Sequence, residues 1–132
     1  REAFFSLLAD KLTSRLSLSR EEIVSQFCKR EEDSSTNIIP GIAIPHIIIP
    51  GKEKFEIVLA RSRAGIEWEK GSPPVHAVFV LLGTADERTY HLRALMAVAQ
   101  LLQENSFLDS WNKARDCEDL RSTILLMPRQ RD

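Results

Sequence analysis

The sequence predicts a single α/β domain, a β-sheet layered with helices, and three observations carry that prediction. Its 132 residues fit one domain and are enough to bury a real core. Amphipathic helical patterns occupy both ends of the chain, and extended, strongly apolar segments lie between them. One of those segments, Val75 to Leu82 (VHAVFVLL), is nearly continuous in apolar residues, as a strand covered on both faces would be.

Phe4, Phe5, Leu8, Leu12 and Leu16 recur at helical spacing, so residues 4–16 form the first helix. Ser19, with Glu22 three positions on, is a capping-box signature. It opens a second helix running to about Glu32 and burying Ile23, Val24, Phe27 and Cys28. Asp33-Ser34-Ser35-Thr36-Asn37 is a polar loop. In the following stretch the prolines at 40, 45 and 50 exclude regular helix, and Pro45 holds Ile44 in extended geometry. A short edge strand or extended segment there places Ile42, Ile44, His46 and Ile48 on one side, with Ala43, Ile47 and Ile49 on the other.

Residues 56–62 (EIVLARS) form a strand, 65–74 (GIEWEKGSPP) a turn-rich connection, and 75–82 the doubly covered strand. Residues 89–104 form a strong helix with Leu92, Leu95, Met96, Ala99 and Leu102 facing inward. Two short helices follow, over 106–114 and 116–126, the second capped by Asp116, and the tail PRQRD is frayed. No internal repeat or low-complexity segment interrupts this order.

Composition removes several function classes. Eighteen basic side chains against 19 acidic ones leave a formal charge of −1, and no Lys/Arg run exceeds two residues. Nothing therefore draws the chain toward nucleic acid or an acidic membrane surface. No C-x-x-C or H-E-x-x-H spacing occurs, so no metal is expected. Cys28 and Cys117 both lie in helical patterns and read as reduced, partly buried thiols of a cytosolic protein. No apolar run is long enough to span a bilayer and no signal peptide is visible. The chain opens at Arg1 already inside an amphipathic pattern, as a piece of a longer protein would.

Three histidines could carry chemistry. His76 enters a buried strand directly after Pro73-Pro74 and reads as structural. His91 lies in or near the first turn of the strong helix, where free N–H groups favour an anion; a surface polar role and a ligand contact are both open. His46 sits among isoleucines, where a core histidine with satisfied nitrogens is the ordinary reading. No G-x-S-x-G elbow, P-loop or G-x-G-x-x-G competes with them. The acidic pairs Glu21-Glu22, Glu31-Glu32 and Glu118-Asp119 read as solvated helix faces.

The words GIAIPH, Gly41 to His46, closely resemble the active-site motif of the enzyme IIA domains of the bacterial phosphoenolpyruvate-dependent sugar phosphotransferase system, in the fructose/mannitol/nitrogen-regulatory (type 2) class. Lys29-Arg30-Glu31-Glu32 followed by Ser34-Ser35-Thr36 is similar to the arginine–acid–serine/threonine segment that precedes that motif. His91-Leu92-x-x-Leu95 and Ala99-x-Leu101-Leu102 look like the family's second-histidine helix, and the resemblance runs from about Leu8 to Leu126. The chain departs from it at Ile39-Pro40, where a flexible pair such as Gly-Asn is common, and at Ile48, where many members carry arginine.

The resemblance implies a mixed β-sheet flanked by helices on both faces, and a phosphohistidine carrier. His46 would accept a phosphoryl group from a histidine phosphocarrier protein (HPr-like) and pass it to a downstream enzyme IIB, or signal with it to a regulated protein. Arg30 would approach the phosphoryl oxygens, His91 would donate an N–H to them, and Ser35 and Thr36 would add hydroxyl donors. No cofactor, metal or nucleic acid enters this reading. Chemically, an apolar surround disfavours imidazolium and keeps a lone pair on the ring, while the prolines hold the ring in place. The expected location is the cytoplasm or the cytoplasmic face of the membrane. The alternative is a regulatory cytoplasmic domain of a membrane ion or amino-acid transporter with the same fold; a hydrophobic transporter portion would then precede Arg1. A third reading is a scaffold without phosphoryl chemistry.

Overall fold

Eight regular elements and one 3-10 turn follow from these patterns in the computed structural model, which describes residues 1–118 apart from positions 17, 38 and 105. Most of the helix expected over 116–126, and the whole tail, lie outside the described residues. Helix α1 spans Glu2–Leu12 and α2 spans Arg20–Asp33. The predicted cap is present, since the Glu22 N–H donates to Ser19 Oγ at 3.2 Å. The proline-bracketed stretch forms two very short strands, β1 (Ile42–Ala43) and β2 (His46–Ile49). Strand β3 (Phe55–Ile66) and strand β4 (Val75–Thr84) are longer than their sequence patterns suggest. A 3-10 turn, Ala85–Glu87, leads into α3 (Arg88–Leu102), and α4 (Phe107–Lys113) follows.

Strand β4 is the centre of a mixed sheet. Strands β1 and β2 run parallel to it, end to end, with Ile42 opposite Ala77 and His46 opposite Leu81, while β3 pairs with it antiparallel. The unbroken apolar run of β4 is explained by its two packed faces. Val78, Val80 and Leu82 join Phe5, Leu8, Ile23 and Phe27 in a core beneath α1 and α2. Ala77, Phe79 and Leu81 join Val98, Leu101, Phe107 and Trp111 in a second core beneath α3 and α4. The expected alternation along 42–49 holds: Ala43, Ile47 and Ile49 enter the first core and Ile42 and Ile44 the second.

The inward face of α3 differs from the expected one. His91, Val98 and Leu101 are buried, whereas Leu92 and Met96 are exposed and so is Ala99. Apolar residues surround this helix almost completely, so two stripes about one residue apart fit the same periodicity. Of the expected stripe, Leu95 and Leu102 are half-buried against the second core. Cys28 is half-buried on α2 and Cys117 is exposed, and both are free thiols.

The turn before β1 accounts for Ile39-Pro40. The Ile42 N–H donates to the Ile39 carbonyl at 3.1 Å, and Gly41 has φ of 86°. Proline then glycine at the centre of such a bond is the pattern of a type II turn, whose third position requires positive φ. The Gly41 carbonyl accepts from both His76 and Ala77 at the start of β4, which ties the turn to the sheet.

Candidate functional site

Between β1 and β2 the ladder is interrupted, and the interruption aims His46. Pro45 has no N–H to donate, and its carbonyl accepts from Leu81 at 3.0 Å. The Ile44 N–H turns instead to the Thr36 carbonyl at 3.0 Å. The freed Ile44 carbonyl lies 2.8 Å from His46 Nδ1. On the other side of the ring, Arg30 Nη2 lies 3.3 Å from Nε2.

Those two contacts determine the protonation pattern. A carbonyl only accepts and a guanidinium only donates. Nδ1 therefore carries the ring proton, and Nε2 presents its lone pair to Arg30. A doubly protonated ring would set N–H against N–H. Nε2 of His46 thus faces Arg30 in a cleft of about 320 Å³.

Arg30 reaches the ring from the last turn of α2. Its Nη1 donates to the Ser34 carbonyl at 2.9 Å and to Ser34 Oγ at 3.2 Å, so the guanidinium is braced by the polar loop. Gln26 and Asp33, four and three residues from Arg30 on α2, line the same cleft with it, and so does its neighbour Lys29. The sequence reading quotes Lys29 beside Arg30 but does not single out Gln26 or Asp33, although their helical register with Arg30 is legible there.

His91 joins from the fourth position of α3. Its ring centroid is 5.8 Å from that of His46, at 66°, and Phe55 packs on it from the other side. It is only 7% exposed, and its Nδ1 is buried with no hydrogen-bond partner among the described residues. Burial, and secondarily the neighbouring His46, hold its pKa below the usual histidine value. The folded protein therefore resists protonating His91 while the unfolded chain does not. Stability tied to this group is intact above the unfolded value of about 6.5 and is lost as pH falls toward the depressed folded value. Thermal unfolding of the wild type should thus lose more ground between pH 7.5 and 5.5 than that of His91→Asn, whose side chain does not titrate there.

The remaining expected residues lie elsewhere. Thr36 is 1% exposed and its hydroxyl donates to Glu31, so it does not face the cleft. Ser35 is exposed and its Oγ accepts from the Asn37 N–H. Glu31, read from sequence as part of a solvated face, is instead buried; the correction follows from Trp68 and Thr36, which cover and bond its carboxylate. His76 has the structural role expected of it, with Nδ1 2.8 Å from the Ser62 carbonyl. A larger apolar groove of about 540 Å³ runs between α1 and β3, lined by Phe4, Leu7 and Val58. It contains no histidine, so chemistry rather than size identifies the site. Among the described residues no group of three or more potential ligands could hold a metal ion, and no helix is long and apolar enough to cross a membrane.

The chain is similar to known proteins in sequence and in fold. Residues 1–126 match the family model described as phosphoenolpyruvate-dependent sugar phosphotransferase system, EIIA 2. A nitrogen regulatory protein of Bradyrhizobium diazoefficiens is 30% identical over 122 residues, covering 92% of this chain and 80% of that protein. The fructose-specific EIIABC component of Bacillus subtilis is 34% identical over 84 residues, 63% of this chain but 13% of that protein. Among solved structures, nitrogen regulatory protein IIA-Ntr from Neisseria meningitidis superposes with a TM-score of 0.85 at 24% identity, over 94% of this chain and 86% of that one. IIA mannitol from Escherichia coli gives a TM-score of 0.73 at 16% identity, covering 93% and 87%. At these identities the two structures establish a shared fold.

Proposed function

The chain belongs to the EIIA 2 family of the phosphoenolpyruvate-dependent sugar phosphotransferase system, and from that premise we propose that it accepts a phosphoryl group on Nε2 of His46 and passes it on or signals with it. The observation that carries this reading is the pair of contacts that leaves Nδ1 protonated and Nε2 nucleophilic. In the step, the Nε2 lone pair forms a bond to phosphorus while the N–P bond of a phosphorylated histidine phosphocarrier breaks, its electron pair returning to the donor ring. The Nδ1 proton stays against the Ile44 carbonyl throughout, and the acceptor ring gains the formal positive charge the donor ring loses. No proton crosses between the partners.

The product brings roughly −1.5 to −2 charge to the cleft. Arg30 meets it with a braced guanidinium, and Lys29 adds a second cation at the rim. His91 supplies a second ring beside the acceptor, 5.8 Å away between centroids. This transfer rests on positioning and fixed charge. On this reading the phosphocarrier docks over the cleft, a downstream IIB-type or regulated protein docks there next, and the domain works in the cytoplasm. A complex of IIA mannitol with phosphorylated IIB mannitol from Escherichia coli, whose IIA has this fold, supports a partner of that kind.

A regulatory role is favoured over dedicated sugar uptake by one observation: the Bradyrhizobium relative, a nitrogen regulatory protein, is matched over 80% of its length. That such a domain can form part of a longer protein, as the transporter alternative requires, is supported by the Bacillus protein, of which the match covers 13%.

Incubation with phosphoenolpyruvate, the first enzyme of the system and a phosphocarrier should add one acid-labile phosphoryl group, mapping to the peptide that contains His46. Label on His76 or His91 would overturn the assignment. No label with a panel of phosphocarriers would favour a domain without phosphoryl chemistry.

A further inference from the structure

We propose that Glu31 is a positioning residue for the phosphoryl acceptor, fixing the tautomer and orientation of the His46 ring through Thr36 and Ile44. The proposal rests on the acceptor reading given above. Glu31 follows Arg30 on α2, so the two side chains leave the helix in different directions. Arg30 enters the cleft and Glu31 enters the protein, where it is 5% exposed.

A buried carboxylate is costly unless its oxygens are bonded. Glu31 accepts the Trp68 indole N–H at 3.2 Å, the Thr36 N–H at 3.1 Å and the Thr36 hydroxyl. It thereby holds Thr36 by main chain and side chain together. The Thr36 carbonyl is turned the other way and accepts the Ile44 N–H at 3.0 Å. Ile44 sits in the gap between β1 and β2, outside both strands, so Thr36 supplies the anchor the sheet does not.

With its N–H held by Thr36, and its ψ restricted to extended values by Pro45, residue 44 has one direction in which to point its carbonyl. That direction is toward His46 Nδ1, at 2.8 Å. The linkage thus runs from a buried carboxylate, across a loop and one residue of strand gap, to the nitrogen opposite the reacting one. If the carbonyl tilts away, Nδ1 loses its acceptor, the Nε2–H tautomer becomes accessible, and the lone pair no longer points into the cleft.

The test is the histidine tautomer in the unphosphorylated protein, read by long-range proton–nitrogen NMR of the ring. The wild type should show His46 solely as Nδ1–H. Glu31→Leu leaves the Trp68 and Thr36 donors without an acceptor, and should reveal an Nε2–H population on the order of a tenth or more. Phosphoryl uptake in that variant should be roughly tenfold slower. Thr36→Ser, which keeps both donors, should match the wild type in each reading.

Trp68→Phe removes a different partner of the same carboxylate and separates positioning from stability. It should lower the unfolding midpoint and leave the ring signals unchanged. A folded Glu31→Leu protein whose His46 remains purely Nδ1–H overturns the proposal. Should that variant fail to fold, the same result with Thr36→Val overturns it. A wild-type His46 found as Nε2–H would overturn the acceptor reading itself, so the two failures are distinguishable.

Discussion

His46→Ala should abolish phosphoryl uptake, lowering it by at least about 10³-fold, while the domain stays folded. The size of the effect follows from chemistry. Nε2 is the atom that forms the new bond, and no serine elbow or phosphate-binding loop stands by as a substitute. His91 lies in the same cleft, but its Nδ1 is buried and the Arg30 guanidinium stands at Nε2 of His46, so it does not inherit the role. The structural cost is modest. The ring is only half-buried at the start of a four-residue strand, and removing it forfeits its bonds to the Ile44 carbonyl and to Arg30, about 1 kcal/mol each. Radiolabel incorporation beside a thermal unfolding curve separates the two effects. Residual labelling at a tenth of the wild-type rate would mean that another group accepts the phosphoryl.

The motif and the layers were readable from the chain because their signals are local. Three prolines forced extended backbone on residues 40–50, and period-two alternation then assigned Ile42 and Ile44 to one core and Ala43, Ile47 and Ile49 to the other. Arg30, His46 and His91, named from the family resemblance, meet in one cleft. What the chain did not disclose depends on tertiary neighbours. Glu31 looks like any acidic residue on a polar helix, and only the arrival of Trp68, 37 positions later, shows that its side is an inner one. The phase of α3 was undecidable from apolar periodicity, because the residue that resolves it is His91, buried for the sake of the site. Thr36 was expected to serve the phosphoryl group with its hydroxyl; its hydroxyl serves Glu31, and its carbonyl serves Ile44.

One departure from the family pattern acquires a physical sense. Ile48 is 49% exposed at the cleft edge, where many relatives are expected to carry arginine. An apolar side chain there gives the phosphoryl group no counter-charge and gives a docking partner a surface that excludes water. The cations that remain at the cleft, Arg30 and Lys29, both come from α2. Charge stabilisation in this chain is therefore concentrated on one helix face, and Arg30 is the member in contact with the acceptor ring.

That concentration sets the expected result for Arg30→Ala, a fall in phosphoryl uptake of roughly 10- to 150-fold. The range corresponds to losing hydrogen bonds to a charged group worth about 1.5–3 kcal/mol. Before transfer, Nη2 donates to the Nε2 lone pair and keeps it directed outward. Once phosphorus occupies that position, the same N–H must move to a phosphoryl oxygen, while Nη1 keeps its hold on Ser34. The guanidinium fork suits both states because its donors are fixed relative to one another. Arg30→Lys restores the charge without the fork, since an ammonium cannot brace on Ser34 and address the cleft in the same geometry, and its rate should fall between those of the alanine variant and the wild type. Arg30 is partly exposed and outside both cores, so the unfolding midpoints of the two variants should stay close to that of the parent. A wild-type rate in Arg30→Ala would remove Arg30 from the site, and a large drop in midpoint would show that its bonds to Ser34 hold the loop rather than the phosphoryl group.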